Sequence, residues 1–207
     1  KYATDDLKQD KKIVMAAVTE NGFALDYAPE ELKNDKDVVM AAVTPHDGFA
    51  LEFASEELKN DKEIVMVAVT TYGEALEFAS EELQVDMEIV MEAVTKDGGA
   101  LEYASEELKN DNLIVLAAVT QRGWALEYAS EKLKNDKDVV MAAVTQNGFG
   151  LQFANEELKN DKDVVMAAVI KNGWIRSNAL KYAPKDLKQD PDIIRVAQAT
   201  RVNKHTL

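Results

Sequence analysis

Residues 135–159 read NDKDVVMAAVTQNGFGLQFANEELK, and the same outline returns along almost the whole chain of 207 residues. The leucines in the register of Leu158 recur at spacings of 25, 26, 25, 25, 25, 25 and 29 residues. A period of this length indicates a repeat protein in which each unit is one supersecondary element. The leucines in this register are Leu7, Leu32, Leu58, Leu83, Leu108, Leu133, Leu158 and Leu187.

An aspartate three residues after each of these leucines is predicted to cap a helix. Its carboxylate can accept hydrogen bonds from the first free backbone amides of the helix. Pro191 directly follows Asp190, and proline is favoured at the first helical position. The next residues, such as VVMAAV at 139–144, are apolar on nearly every side, as expected of a helix packed between neighbours. The capping aspartates are Asp10, Asp35, Asp61, Asp86, Asp111, Asp136, Asp161 and Asp190.

A glycine follows each apolar helix and is predicted to end it in the left-handed conformation. A shorter helix such as 50–54 then follows, and a serine or proline such as Ser55 breaks it before a single turn. Each unit is therefore predicted to contain a helix, a short helix and a turn. The glycines are Gly22, Gly48, Gly73, Gly98, Gly123, Gly148 and Gly173.

One unit alone buries too few apolar side chains to offset the entropy lost on ordering its backbone, so the units must stack. The sequence predicts an all-α fold, an α-solenoid of about eight tandem two-helix repeats of ~25 residues each. Residues 1–207 are expected to form a single array with a right-handed superhelix. Because the chain begins at Lys1 in the middle of a unit, the first repeat is incomplete, and we expect the natural chain to extend further.

The last unit differs from the others in a way that predicts a polar terminal cap. Its final helix carries Arg195 and Gln198 where the preceding unit has Met166 and Val169. A terminal repeat lacks a neighbour on one side and needs a polar outer face. Residues 171–207, which include a four-residue insertion, are therefore expected to cap the array.

Composition excludes several classes of protein. Hydrophobic residues make up 46% and charged residues 30% of the chain, which is ordinary for a folded protein. No apolar run is long enough for a transmembrane helix. With no cysteine, disulfides and thiolate zinc sites are excluded. The net charge of −14 argues against a nucleic-acid partner, because phosphates are neutralised by lysine and arginine.

The units resemble the domain-of-unknown-function repeat family numbered 4116, whose repeats follow the succession NDKEVV, AAV, NG, ALEYAS and EEL. In this chain NDKDVVMAAVT, QNG, ALEYAS and EELKND match that succession. The resemblance covers nearly the whole chain and weakens only after Gly173. It implies a helical repeat array without family catalytic residues.

The sequence offers no group of residues suited to catalysis. Of the two histidines, His46 lies in the turn TPHDG and His205 in the terminal tail, and neither has a catalytic partner nearby in sequence. Phosphate-binding glycine loops, zinc-hydrolase and nucleophile-elbow motifs are absent from the sequence. We therefore expect a non-enzymatic protein with no cofactor and no metal site.

Charge is distributed unevenly along the chain, and both the acidic glutamate pairs and the basic C-terminal segment have more than one interpretation. Residues 1–170 hold 16 basic and 35 acidic side chains, whereas residues 171–207 hold eight and three. Glutamate pairs such as Glu56 and Glu57 form either a solvated edge or a dock for a basic partner. The basic C-terminal segment is either a solubilising cap or a contact for an acidic partner, a second acidic array or an anionic membrane surface.

Partner contacts are expected where the units differ, because the shared positions are committed to folding. Aromatic residues and arginine dominate interface hot spots, although the tryptophans could instead fill grooves between helices. Apolar residues at Val85, Met87 and Leu113 replace polar ones and suggest a covered patch. Six of the seven methionines share one register and are interpreted as core residues. The candidate contacts are Tyr72, Val85, Met87, Arg122, Trp124, Trp174, Ile175 and Arg176.

The predicted function is a scaffold or adaptor that binds a protein partner as an accessory subunit of a larger assembly. The alternative is a regulatory or targeting segment of a longer multidomain protein, whose enzymatic domain would lie elsewhere. An enzyme site on the concave face is a third alternative, against which the lack of a non-repeating polar cluster counts. An intracellular location is favoured, but the segment that would carry a targeting signal is not part of this sequence.

Overall fold

The computed structural model describes residues 7, 9–44, 48–176 and 179–202, and within these residues every regular element is a helix. The side chains of residues 172–176 and 200–202 lie outside this description. The helices belong to two compact units, residues 1–105 and 106–207, and each unit is built from the repeat read in the sequence. The predicted all-α array of helical repeats is confirmed.

Each repeat contains a long α-helix, a 3₁₀ helix and a single helical turn. The long helices span Lys11–Glu20, Lys36–Val43, Lys62–Thr71, Met87–Lys96, Asn112–Gln121, Lys137–Gln146, Lys162–Arg176 and Pro191–Val202. The 3₁₀ helices span Gly22–Tyr27, Gly48–Phe53, Gly73–Phe78, Gly98–Tyr103, Gly123–Tyr128 and Gly148–Phe153, and an α-turn, Ala179–Tyr182, follows in the seventh repeat. The single turns span Glu30–Lys33, Glu56–Lys59, Glu81–Gln84, Leu108–Asn110, Glu131–Lys134, Glu156–Lys159 and Lys185–Lys188.

The predicted aspartate caps are confirmed in all eight positions. Asp61 Oδ1, for example, accepts hydrogen bonds from the backbone N–H of Glu63 at 3.0 Å and of Ile64 at 3.2 Å. These bonds satisfy two of the amides that have no partner inside the helix. The capped helix starts therefore lie at Asp10, Asp35, Asp61, Asp86, Asp111, Asp136, Asp161 and Asp190.

The second carboxylate oxygen of most caps binds a lysine of the preceding repeat. Lys36 Nζ lies 2.7 Å from Asp61 Oδ2 and 2.8 Å from Glu63 Oε2. The same aspartate thus starts its own helix and holds the neighbouring one. The other cap pairs are Lys11–Asp35, Lys62–Asp86, Lys137–Asp161 and Lys162–Asp190.

The core lies where the long helices of successive repeats pack within each unit. Val65 and Val69 of one long helix are fully buried, as are Leu76 of its 3₁₀ helix and the corresponding residues of other repeats. Leu83, a leucine of the repeat register, is buried from the single turn. Apolar side chains from all three segments therefore form the core that no single repeat could bury by itself.

The second and third segments differ from the predicted short helix and turn. The second is a six-residue 3₁₀ helix, and the third is a capped helical turn. Ser80 does not merely break the chain, because its Oγ accepts a hydrogen bond from Leu83 N at 3.3 Å. Its own N–H donates to the carbonyl of Lys59 in the preceding repeat at 3.0 Å. The serine therefore caps one turn and bridges two repeats.

The role predicted for the glycines is wrong. The long helix ends one residue earlier, at an extended residue such as Tyr72 with φ of −143°, and Gly73 begins the 3₁₀ helix. Gly73 has no positive φ. A Cβ at this position would instead overlap the carbonyl oxygen of Ala93 and lie 2.9 Å from Asp97 Cβ in the next repeat. Glycine is required because two repeats approach closely here.

Gly173 also departs from the prediction, since the long helix that starts at Lys162 continues through it to Arg176. A glycine inside a helix costs up to about 1 kcal/mol relative to alanine, but it does not by itself end the helix. The next described segment is the α-turn Ala179–Tyr182, not a 3₁₀ helix.

The final helix exposes Arg195 and Gln198, the polar residues on which the cap prediction depends. Arg195 pairs with Asp192 of its own helix at 3.0 Å. The capping role and the right-handed superhelix both remain predictions.

The glycine contact gives a first testable prediction, G123A. A Cβ on Gly123 would overlap Ala143 O and lie 2.9 Å from Asn147 N, so the variant should lose about 1–3 kcal/mol of unfolding free energy through overpacking. The measurement is chemical denaturation followed by circular dichroism.

The matched control is G150A in the same unit. A Cβ there would meet Gly123 O at 3.0 Å and Ala143 Cβ at 3.2 Å, and five other repeats carry alanine in this register. We expect a change within about 1 kcal/mol of wild type. Equal losses in G123A and G150A would contradict the close-approach explanation.

A second prediction concerns D161N and D136N. Both aspartates cap a helix, but Lys137 Nζ lies 2.6 Å from Asp161 Oδ2, whereas the preceding repeat has Asn112 in the place of that lysine. We expect D161N to lower the free energy of unfolding more than D136N at neutral pH. Because the excess comes from an exposed ion pair, it should fade at about 1 M salt.

The pH dependence of this difference follows from the hydrogen bond of Lys137, which lowers the pKa of Asp161 from 3.8. A lowered folded-state pKa adds stability above the unfolded value, and that stability is lost as the pH falls through the folded value. Wild type and D161N should therefore converge below about pH 4. Denaturation curves recorded between pH 7 and pH 3 test this, and a constant gap would contradict it.

Candidate interaction surface

Two polar positions in the repeat join successive repeats within a compact unit. The first is the asparagine after the single turn: Asn60 Oδ1 accepts from Ser80 Oγ at 2.5 Å, and its Nδ2 donates to Glu82 Oε2 at 2.8 Å. The second is the lysine after the cap: Lys62 Nζ lies 2.8 Å from Asp86 Oδ2. Both side chains therefore contribute to stacking as well as to solubility.

Val85 and Met87 occupy these two positions on either side of Asp86. Val85 is 56% exposed and Met87 is 52% exposed. Neither side chain can make the bridging hydrogen bonds of asparagine or lysine, and neither enters the core. In the unit formed by residues 106–207, Leu113 is 67% exposed at a position where most repeats carry a charge. Apolar surface is thus exposed where the fold does not need it.

Tyr72 is half-buried and takes part in packing between repeats. Its ring lies 4.2 Å from the ring of Phe49, centroid to centroid, and its hydroxyl donates to Glu74 Oε2 at 3.0 Å. Tyr72 also ends the long helix through its N–H, which donates to Ala68 O at 2.8 Å. Only part of this candidate contact residue therefore remains accessible to a partner.

Arg122 and Trp124 lie together at the start of a 3₁₀ helix. The guanidinium carbon of Arg122 is 5.4 Å from the centroid of the Trp124 ring, and the ring meets Tyr128 edge-on at 6.1 Å. Both residues are half-buried. The Trp124 ring is therefore neither fully enclosed in a groove nor fully exposed. The guanidinium of Arg122 lies over this ring.

Three candidate contacts have side chains outside the described residues. The backbone of Trp174, Ile175 and Arg176 belongs to the long helix that ends at Arg176. His46 and His205 lie outside the described residues altogether. The structure therefore leaves these residues as predictions from sequence.

The methionines do not belong to the core as predicted. Met40, Met66 and Met91 share one register of the long helix and are half-buried, while Val65 and Val90 beside them are fully buried. Their half-burial places these methionines at the edge of the core rather than inside it.

A further surface runs along the 3₁₀ helices of residues 1–105. In each of these helices an exposed carboxylate precedes an aromatic residue, which is exposed at Tyr27 and half-buried in the other three, and a buried alanine follows. No lysine or arginine occurs within these helices. We call this surface the aromatic–acidic face; it consists of Asp26, Tyr27, Glu52, Phe53, Glu77, Phe78, Glu102 and Tyr103.

Ring contacts between successive repeats hold the aromatic side chains of this face in place. Phe23 lies 5.9 Å from Phe53, and Phe49 lies 5.7 Å from Phe78, both edge-on. Edge-to-face pairs at this distance add about 0.5–1.5 kcal/mol beyond area burial. These contacts therefore hold two of the four rings of the face, Phe53 and Phe78, in place.

The carboxylates of the aromatic–acidic face lack the lysine partner that most cap aspartates and several turn glutamates have. Glu56 of the single turn pairs with Lys59 at 2.9 Å, and Glu57 accepts a hydrogen bond from Asn34 at 3.1 Å. Among the described residues, Asp26 and Glu52 take part in no ion pair. The glutamate pairs considered from sequence are therefore partly neutralised, whereas the carboxylates of these 3₁₀ helices keep their charge.

Tyr103 reports the electrostatic environment of this face. Burial, and next the charge of Glu77 with its hydrogen bond to the phenol, raise the pKa of Tyr103 to about 12. Glu102 and Glu74 contribute in the same direction. The phenolate is disfavoured because it would add negative charge beside carboxylates already present.

Sequence analysis did not single out the residue before the aromatic and missed this surface. The available signal was the recurrence of an acid followed by an aromatic, as in LDY, LEF and LEY, without a lysine within reach. What the sequence could not supply was which acids the lysines reach across repeats.

No group of histidine, cysteine, aspartate or glutamate suited to hold a metal ion occurs among the described residues. Within the same part of the chain, no helix is both long and apolar enough to span a membrane.

The environment of Tyr103 gives a third prediction, E77Q. Removing this charge should lower the pKa of Tyr103 from about 12 towards its ordinary value, because the phenolate then meets one fewer carboxylate. NMR titration of the tyrosine ring carbons, assigned with Y103F, measures the shift. An unchanged pKa in E77Q would contradict the proposed electrostatic environment.

Comparison with known proteins gives a family but no relative of known activity. No curated protein and no solved structure matches the chain. One family model, described as a domain of unknown function (DUF4116), matches residues 1–33, 10–44, 45–84, 86–134, 113–154 and 136–188. These overlapping matches confirm the resemblance seen in the repeated units. The chain therefore belongs to the DUF4116 family, whose repeat makes up nearly all of its length.

Proposed function

We propose that this chain is a non-catalytic helical-repeat scaffold that binds a protein partner, acting as an accessory subunit of a larger assembly. The observation that carries the proposal is the exposure of Val85 and Met87 at two positions that other repeats use for stacking. The residues common to the repeats contribute to caps, core and bridges, so recognition falls to those that differ.

The exposed pair is unfavourable for the isolated chain. Burying apolar surface is worth roughly 25 cal/mol per Å², and Val85 and Met87 forgo that gain while also losing the polar bridges. A partner that covered them would recover it. Exposed apolar residues that the fold does not use are typical of protein interaction sites.

The aromatic and arginine candidates extend the proposed recognition surface in residues 106–207. Arg122 and Trp124 belong to the residue types that dominate interface hot spots, and both remain partly accessible. Their stacking holds the guanidinium in one orientation before a partner arrives. Trp174, Ile175 and Arg176 remain proposed contacts on their sequence alone.

The fourth prediction tests this function with the double substitution V85N/M87K. These are the residues that other repeats carry at the two positions, so the fold should be retained or slightly stabilised. Partners that co-purify with the full chain from its native cells, quantified by mass spectrometry, should be lost from the variant. We expect at least about a tenfold drop, since two truncated contacts at an interface cost more than about 1 kcal/mol.

The control is Q152K, which adds a positive charge at an exposed position without removing apolar surface. It should retain the partners of the wild type. If V85N/M87K and wild type recover the same partners in the same amounts, the patch is not the contact. If neither chain retains any specific protein, the scaffold function is wrong.

A further inference from the structure

Negative charge is concentrated in the first of the two compact units. Residues 1–105 contain nine lysines and 24 acidic residues, a net charge of −15, whereas residues 106–207 carry 15 basic and 14 acidic residues. The overall charge of −14 therefore belongs almost entirely to one unit. A field of this size attracts cationic partners and raises their association rate.

Within that unit, lysines neutralise one set of acids and leave another set alone. Cap aspartates such as Asp61 and turn glutamates such as Glu56 each have a lysine within 3.0 Å. Asp26, Glu52 and Glu102 have none among the described residues. The aromatic–acidic face therefore carries carboxylates that no lysine neutralises, and these lie beside ring surfaces.

Repetition spaces these groups regularly. The 3₁₀ helices of successive repeats contact one another, and each contributes one carboxylate and one ring to the face. Packed helices lie about 8–10 Å apart. A polyproline-type chain advances about 9 Å in three residues, and its three-residue turn places every third side chain on the same side. Every third side chain of such a segment would therefore meet the same pair of groups on the next repeat.

The chemistry of each pair fits a lysine or arginine. The carboxylate accepts hydrogen bonds from the cationic head group, and the adjacent ring packs against the aliphatic stem or attracts the cation itself. An amphipathic helix fits less well, because helix recognition needs an apolar groove. On this face the exposed members are the four carboxylates and Tyr27, and the other three rings are half-buried.

We propose that the aromatic–acidic face binds a basic segment of a partner protein in the polyproline conformation, with a lysine or arginine at every third residue. This inference deepens the proposed function by naming the chemistry of a partner. It concerns a surface separate from Val85 and Met87, so one of the two proposals can fail while the other holds.

The fifth prediction uses a defined probe and the full chain. The probe is a fluorescently labelled peptide of about twelve residues that repeats Arg-Pro-Pro and is extended by its prolines. Fluorescence anisotropy at about 0.15 M salt measures its affinity. A second peptide has the same composition with its arginines contiguous. The spaced peptide should bind at least about threefold more tightly, because only its arginines match the repeat spacing.

Two double variants of equal net charge test the surface. E52Q/E102Q removes carboxylates from the aromatic–acidic face, whereas E30Q/E56Q removes carboxylates that pair with Lys33 and Lys59 at 3.0 and 2.9 Å. We expect about a three- to tenfold loss of peptide affinity in the first variant and less than about twofold in the second. All four substitutions are at exposed positions, and circular dichroism confirms that each variant is folded.

Three results would overturn the proposal: no binding of the spaced peptide, equal binding of the clustered peptide, or equal losses in the two variants. Each would mean that general negative charge, rather than the arrangement of this face, governs the interaction. V85N/M87K should bind the spaced peptide as well as wild type does. A loss of peptide binding in that variant would place the basic segment on the apolar patch and would also overturn the proposal.

Discussion

The carboxylate of most capping aspartates serves two repeats at once. One oxygen of Asp61 binds the amides that begin its own helix, and the other binds Lys36 of the repeat before. A repeat that cannot bury a core alone needs such links, because its stability comes from its neighbours. Gly48, Gly73 and Gly123, each at the start of a 3₁₀ helix, serve the same purpose sterically, since they let the next repeat approach. Local and long-range structure therefore depend on the same few residues.

Much of this organisation could be predicted from sequence, because period, caps and apolar runs are local signals. The helix starts at Asp61 and its equivalents follow from one side chain and the backbone beside it. The role of Gly73 could not be deduced, since its reason is a carbonyl in the next repeat rather than its own backbone angles. Met66 was misjudged because its exposure depends on which side of a helix the neighbouring repeats cover.

Of the two candidate surfaces, one could be recognised from the sequence and the other could not. Val85 and Met87 stand out in sequence because they break a polar pattern, and the structure shows what the pattern does: asparagine and lysine join repeats at those positions. The aromatic–acidic face obeys the pattern, so comparison of repeats alone did not reveal it. Its distinguishing property is the absence of lysines nearby, which depends on how far side chains reach between repeats. A surface available for recognition can therefore consist of residues that break the repeat pattern or of residues that follow it.

The bridge from Ser80 N to Lys59 O has a consequence for how such a gene can change in length. Because this bond recurs with the same partners from repeat to repeat, removing one whole unit joins equivalent ends and recreates every contact at the seam. Loss of part of a unit instead misaligns the caps, glycines and bridges. Recombination in steps of one repeat can therefore shorten or lengthen the protein while its fold survives, and can discard or duplicate a distinctive segment such as the one carrying Val85 and Met87.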